Sequence, residues 1–185
     1  MPEPSDRLDD HMLVASFRNE KLKEASFTQL VRKYQERLYW HIRRIVVTHD
    51  DTNDILQNVF IKVRKNLGDF REESNLYTWL YRIGTNEALS WLEQQKRRTS
   101  VSLSDTDYFS EKLGAEKDFD TSKIEWRLQQ AIQSLPEKQK VVFNLRYYDE
   151  MPYEDMAGVL GTSVGALKAS YHHAVKKVEA FLKEN

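Results

Sequence analysis

The sequence contains no cysteine among its 185 residues. Disulfides and thiolate-bound metals are therefore excluded, and a reducing compartment suits the chain. Glycine and proline are scarce, six and four, so the residues that punctuate turns and hairpins are few. Long apolar runs are also missing. None approaches the roughly 20 residues that a membrane helix needs, so no direct membrane insertion is expected. The start, "MPEPSDRLDDHM", is acidic rather than basic-then-apolar and does not read as a signal peptide. These absences together predict a cytoplasmic protein. A strong net charge is lacking as well: the balance is −1, which argues against indiscriminate coating of nucleic acid. There is no glycine loop that could cradle a phosphate, and no histidine–carboxylate cluster at ligand spacing. No catalytic site, cofactor, metal or small-molecule substrate is expected.

What remains is a charged, helical chain. Apolar residues recur at helical spacing and few stretches alternate with period two, which predicts an all-α fold. Helix one is expected near 8–23, helix two near 25–46, helix three at about 51–66 and helix four over 75–98. Gly68 is expected to close helix three. Residues 99–122 are rich in Ser, Thr, Asp and Glu and show no sustained period. They read as a flexible acidic linker between two small helical domains, 1–98 and 123–185. Charge is unevenly spread: residues 27–98 hold 13 Lys/Arg against 9 Asp/Glu, and residues 99–125 hold 3 against 7. A local basic face can bind phosphate although the whole chain is near neutral.

The C-terminal segment carries a motif. Pro152 opens a short helix whose inner face is Tyr153, Met156, Ala157 and Leu160. Gly161 follows as the turn residue in left-handed geometry, and Thr162 and Ser163 offer an N-cap for the next helix. Val164, Leu167, Tyr171, Ala174, Val178 and Phe181 make that helix's inward stripe. The arrangement matches a helix-turn-helix, and also a plain helical hairpin. Its outward face holds Gly165, Lys168, Ala169, His172, His173, Lys176 and Lys177. Small residues at the start let a helix sink into a major groove, and cations further along reach phosphates or base edges. The adjacent His172 and His173 point about 100° apart and do not easily grip one metal ion.

The stretch "NLYTWLYRIGTNEALSWLEQQKRR", residues 75–98, combines aromatics with a basic end. Leu80, Ile83, Ala88, Trp91 and Leu92 lie along one side as a core face. Trp79, Arg82, Asn86, Ser90, Glu93 and Arg97 lie along another. Aromatics beside amides and arginines suit single-stranded nucleic acid, where bases stack on rings and arginines hold phosphates. Partly buried core aromatics with ordinary surface neighbours fit the same pattern. Tyr81 has no evident place.

Taken together, two stretches carry a resemblance. "DDTNDILQNVFIKVRKNLGDFREESNLYTWLYRIGTNEALSWLEQQKRR" precedes the acidic segment, and "LQQAIQSLPEKQKVVFNLRYYDEMPYEDMAGVLGTSVGALKASYHHAVKKV" follows it. In that order and spacing they resemble the extracytoplasmic-function (ECF) sigma factors of the sigma-70 family. The resemblance implies an N-terminal domain for core polymerase binding and minus-ten recognition and melting, and a C-terminal domain for the minus-thirty-five element. It implies core RNA polymerase, through its β′ clamp helices and β subunit, promoter DNA and an anti-sigma factor as partners. Asp51, Asp54, Gln57 and Asn58 would sit at the polymerase contact. Phe70, Asn75, Tyr77, Trp79, Arg82, Asn86, Ser90, Arg97 and Arg98 would face the minus-ten element. Gly165, Lys168, Ser170, His172, His173, Lys176 and Lys177 would face the minus-thirty-five element. Asn58 stands where the family usually has an acidic residue, and Ser170 and His173 where arginine is common. The alternative is a two-domain helix-turn-helix regulator that binds duplex DNA without being a polymerase subunit.

Overall fold

A computed structural model describes residues 4–98 and 123–184. The expected acidic linker, 99–122, lies outside the described residues. Among the described residues the chain forms eight α-helices and one short 3₁₀ turn, with no strand. They are α1 (Pro4–Phe17), α2 (Lys23–Val46), α3 (His49–Asn66), the 3₁₀ turn Leu67–Asp69, α4 (Leu76–Arg98), α5 (Lys123–Gln133), α6 (Glu137–Tyr147), α7 (Tyr153–Leu160) and α8 (Val164–Glu184). None is long and apolar enough to cross a membrane.

The first four helices pack around α2. Its stripe of Leu30, Tyr34, Leu38, Ile42 and Ile45 is buried almost completely, as an i, i+4, i+8 pattern requires. It meets Ile55, Val59 and Val63 of α3 and Leu80, Ala88 and Leu92 of α4 in one apolar cluster. Asp10 of α1 is buried, and its carboxylate accepts hydrogen bonds from Tyr34 Oη at 2.6 Å and Lys33 Nζ at 2.9 Å.

Two expectations are corrected here. Helix one ends at Phe17 rather than running to 23, because the chain turns over 18–22, with the Lys21 amide donating to Asn19 Oδ1 at 3.0 Å. Gly68 does not cap α3 in a left-handed conformation. Instead α3 tightens directly into the 3₁₀ turn, a common way to end a helix.

In the second half, Pro136 and Pro152 stand just before α6 and α7. Their carbonyls accept the amides of Lys140 and Met156 at 2.9 Å, so proline costs no helical hydrogen bond at either place. Gly161 ends α7 with φ 62, in the left-handed region where a Cβ is penalised. Ser163 Oγ then accepts the amide of Ala166 at 3.3 Å and caps α8. A small core of Ala131, Ile132, Leu135, Phe143, Ala174 and Val178 belongs to α5, α6 and α8 and the turn after α5.

The two halves are packed on each other. Val141, Val142, Leu145, Met151, Met156, Val159 and Leu167 join the same apolar cluster as α2 and α4. Asp149, just after α6, sits at the centre of a polar junction. His41 Nδ1 lies 3.1 Å from Asp149 Oδ2, and Arg44 Nη1 and Tyr81 Oη reach Oδ1 at 3.4 and 3.5 Å. The other nitrogen of His41 bonds Thr85 Oγ1 at 2.8 Å, which leaves this fully buried ring satisfied on both sides. The Arg44 guanidinium stacks on Tyr148 at 4.2 Å. Further along, Asp155 of α7 accepts hydrogen bonds from Asn75 and Thr78 at the start of α4. Gly158 allows this approach: a Cβ there would lie 3.0 Å from Thr78 Cγ2.

Candidate nucleic-acid interface

α4 carries two faces because its apolar positions recur every three or four residues. Leu80, Tyr81, Gly84, Thr85, Ala88 and Leu92 point inward. Arg82, Asn86 and Ser90, spaced four apart, form an exposed ridge on the other side, and Arg97 and Arg98 extend it. Arg97 is paired with Glu93 at 2.6 Å. A surface pair of this kind is worth little and yields readily to a stronger anion such as phosphate.

At the foot of that ridge the structure holds a recess of about 510 Å³, lined by Asn66, Asp69, Phe70, Arg71, Glu73, Ser74, Trp79 and Arg82. The ring centroids of Phe70 and Trp79 are 5.0 Å apart at an interplanar angle of 41°. Phe70 is 7% exposed and forms the back of the recess, while Trp79 is half-buried. Aromatic walls with a hydroxyl and the Arg82 guanidinium suit an unstacked base and its phosphate, while Asp69 and Glu73 add carboxylates to the lining and Arg71 lies 3.9 Å from Glu73.

Tyr77 departs from the expected site. It lies in the first turn of α4, and only 5% of it is exposed. It stands four residues before Tyr81, on the side of α4 that faces α2 and Asp149. Its ring is 4.3 Å from that of Tyr81. Burial disfavours the phenolate and pushes its hydroxyl up to about 12. Tyr81, which the sequence left unplaced, is 1% exposed. Its hydroxyl is pushed up further, by burial first and by the nearby Asp149 carboxylate second. Both tyrosines border a second cavity of about 440 Å³, with Arg37, Trp40, Arg44 and Tyr148 among its walls. Asn75 is half-buried, and its amide is engaged with Asp155 at 3.4 Å.

On α3, Asp54, Gln57 and Asn58 are exposed on one face, together with Ile61, which is 46% exposed. This places one exposed apolar side chain beside two amides and a carboxylate. Asp51 is half-buried, and its carboxylate accepts the hydroxyl of Thr48 at the helix start. There its charge also favours the positive end of the helix dipole.

On α8, Gly165, Lys168, His172, His173, Lys176 and Lys177 are exposed and Ser170 is half-buried. No atom lies within 4 Å of the position a Cβ would take on Gly165, so the helix start is open to a groove. No ion pair engages Lys176 or Lys177 among the described residues. Sequence reasoning missed the His41–Asp149 junction, because 108 residues separate its members and no motif links them. It also missed Arg18, which is described below.

The structure thus holds a helix-turn-helix with an exposed cationic face and, on a separate helix, an aromatic recess beside a polar ridge. Comparison with known proteins agrees. Residues 30–98 match the model of sigma-70 region 2, and residues 125–178 match that of sigma-70, region 4. The chain is 34% identical over 167 residues to the RNA polymerase sigma-H factor of Pseudomonas aeruginosa, covering 85% of this chain and 86% of that one. It is 32% identical over 185 residues to the ECF RNA polymerase sigma-E factor of Escherichia coli K12, covering 95% of each. Among solved structures, CnrH in complex with the cytosolic domain of CnrY has a TM-score of 0.70 at 21% identity, over 96% of this chain and 99% of that one. The sigma factor RpoE of Bartonella quintana, in complex with the anti-sigma factor NepR, has a TM-score of 0.67 at 21% identity, over 85% and 96%. The chain belongs to the ECF group of sigma-70-family RNA polymerase sigma factors. Its function is that of a polymerase sigma factor, and the reading as a stand-alone duplex regulator is set aside.

Proposed function

We propose that this sigma factor traps unpaired bases of the minus-ten element in the recess that Phe70 and Trp79 line. The observation that supports this is the alignment of that recess with the exposed ridge Arg82–Asn86–Ser90. A flipped base stacks on Trp79, Asn86 reads a base edge, and Arg82, Arg97 and Arg98 hold the strand's phosphates. Only the unpaired state gains these contacts, so binding shifts the duplex toward melting. The α8 face of Lys168, Ser170, His172, His173, Lys176 and Lys177, with Gly165 at its start, takes the minus-thirty-five duplex. Asp51, Asp54, Gln57 and Asn58 of α3 dock on the β′ clamp helices. The factor performs no bond chemistry, since the polymerase does, and it works in the cytoplasm.

Residues 1–98 and 123–185 act as two domains with 99–122 between them. Elements centred 25 positions apart lie on the order of 80 Å from one another along duplex DNA. In the packed arrangement α4 and α7 touch, so the domains must separate when both elements are read. The 99–122 segment reaches at most ~80 Å when extended, which is enough. The solved relatives bound to partner proteins favour an anti-sigma factor as a further partner. It would hold the domains away from the promoter.

Holoenzyme carrying Asn86→Ala should bind core polymerase and the minus-thirty-five duplex normally, yet open promoters about tenfold more weakly. Lys176→Ala should do the reverse. It should weaken minus-thirty-five duplex binding and lower the slope of log affinity against log salt by about one, with opening of bound promoter unchanged. Equal losses at all steps for either variant would show that the residue is structural.

A further inference from the structure

We propose that Arg18 is a positioning residue for base capture, setting the shape of the recess from the side opposite the DNA. The proposal rests on reading the Phe70–Trp79 recess as the minus-ten capture site. α1 ends at Phe17, and Arg18 is the first residue beyond it. Its guanidinium reaches across to the loop between α3 and α4. Nε donates to the carbonyl of Gly68 at 3.2 Å, and Nη2 to the carbonyl of Phe70 at 2.6 Å. Nη1 donates to Glu72 Oε1 at 3.3 Å.

These partners are the loop itself. Gly68 lies in the 3₁₀ turn, Phe70 forms the back wall of the recess, and Glu72 adopts φ 58, a conformation that disfavours a residue with a Cβ. The other oxygen of Glu72 lies 3.4 Å from His11 Nε2, also on α1. A planar fork of donors fixes two carbonyls and a carboxylate at once, which a single ammonium cannot do. Arg71, Glu72, Glu73 and Ser74 are exposed. The backbone that holds Phe70 against Trp79 is therefore tied down on its outer side chiefly through Arg18. With that tie gone, the loop samples more conformations, and a base must order it on arrival. Affinity falls by the cost of ordering.

Arg18 is absent from the recess lining, so it is not assigned a DNA contact. The charge itself is not the point, and that separates the proposal from its rival. If Arg18 held a phosphate, lysine would serve nearly as well.

The test uses full-length chain in holoenzyme with core RNA polymerase. The probe is a labelled single-stranded oligonucleotide selected from a random library on the wild-type holoenzyme. Arg18→Ala and Arg18→Lys are both expected to bind it about tenfold more weakly, with an unchanged salt slope. Core polymerase affinity and minus-thirty-five duplex binding should stay at wild-type values. Glu72→Gln should show a smaller loss in the same direction, and it keeps the test alive if Arg18→Ala fails to fold. Recovery of binding in Arg18→Lys, or a salt slope lowered by about one in Arg18→Ala, would make Arg18 a phosphate contact and overturn the proposal. So would wild-type binding by both variants. Trp79→Ala run alongside separates the two layers: if it binds normally, the reading of the recess itself fails; if it alone loses binding, only the role of Arg18 fails.

Discussion

Trp79→Ala is expected to cost the holoenzyme on the order of 1–3 kcal/mol in single-strand affinity, the usual worth of one stacked base. The ring is half-buried, and it packs on Phe70 at 5.0 Å. Truncation therefore removes one wall of the recess and uncovers the other. Arg82 and Ser74 remain at the rim, so phosphate contacts persist and the salt dependence should hardly change. Trp79→Phe keeps a stacking surface and should recover most of the loss. Equilibrium binding of the single-stranded probe, measured at two salt concentrations, checks both statements. A loss that shrinks as salt rises would point to a charge contact instead of stacking.

The second large effect concerns the junction between the halves. Asp149 receives His41, Arg44 and Tyr81 at once, and its side chain is 7% exposed. Asp149→Ala leaves those groups facing a hole. Removing one partner of a buried charged network typically costs about 3–5 kcal/mol. Here the loss falls on the packing of one half against the other. α5, α6 and α8 keep their own core around Ile132, Phe143 and Ala174, so these three should stay folded when released. Small-angle scattering should show the free protein expanding from the roughly 16 Å radius of gyration of a compact chain of this length. Helical content should be nearly unchanged. An unaltered radius would mean that the shared apolar cluster holds the halves without Asp149.

The readable parts of this fold were those with local causes. The stripe of α2, the proline starts of α6 and α7 and the left-handed Gly161 all follow from neighbours three or four residues away. So does the ridge of Arg82, Asn86 and Ser90. The recess was half legible: Phe70 and Trp79 are close in sequence, and their types suggested stacking. Tyr77 was misplaced because the turn that puts Trp79 on the outer side of α4 puts Tyr77 and Tyr81 on the inner one. What needed the structure was contact between distant segments. His41 meets Asp149 across 108 residues. Arg18 meets Phe70 across 52, and the early end of α1 makes sense only once that contact is seen.

The central claim is that Trp79 touches an unpaired promoter base. A photo-crosslinking residue placed at position 79 tests it most directly, in holoenzyme on double-stranded promoter DNA. The account predicts a crosslink to the non-template strand within the minus-ten element, which appears only under conditions that melt the promoter. A crosslink of equal yield to closed duplex, or one to polymerase alone, would contradict it.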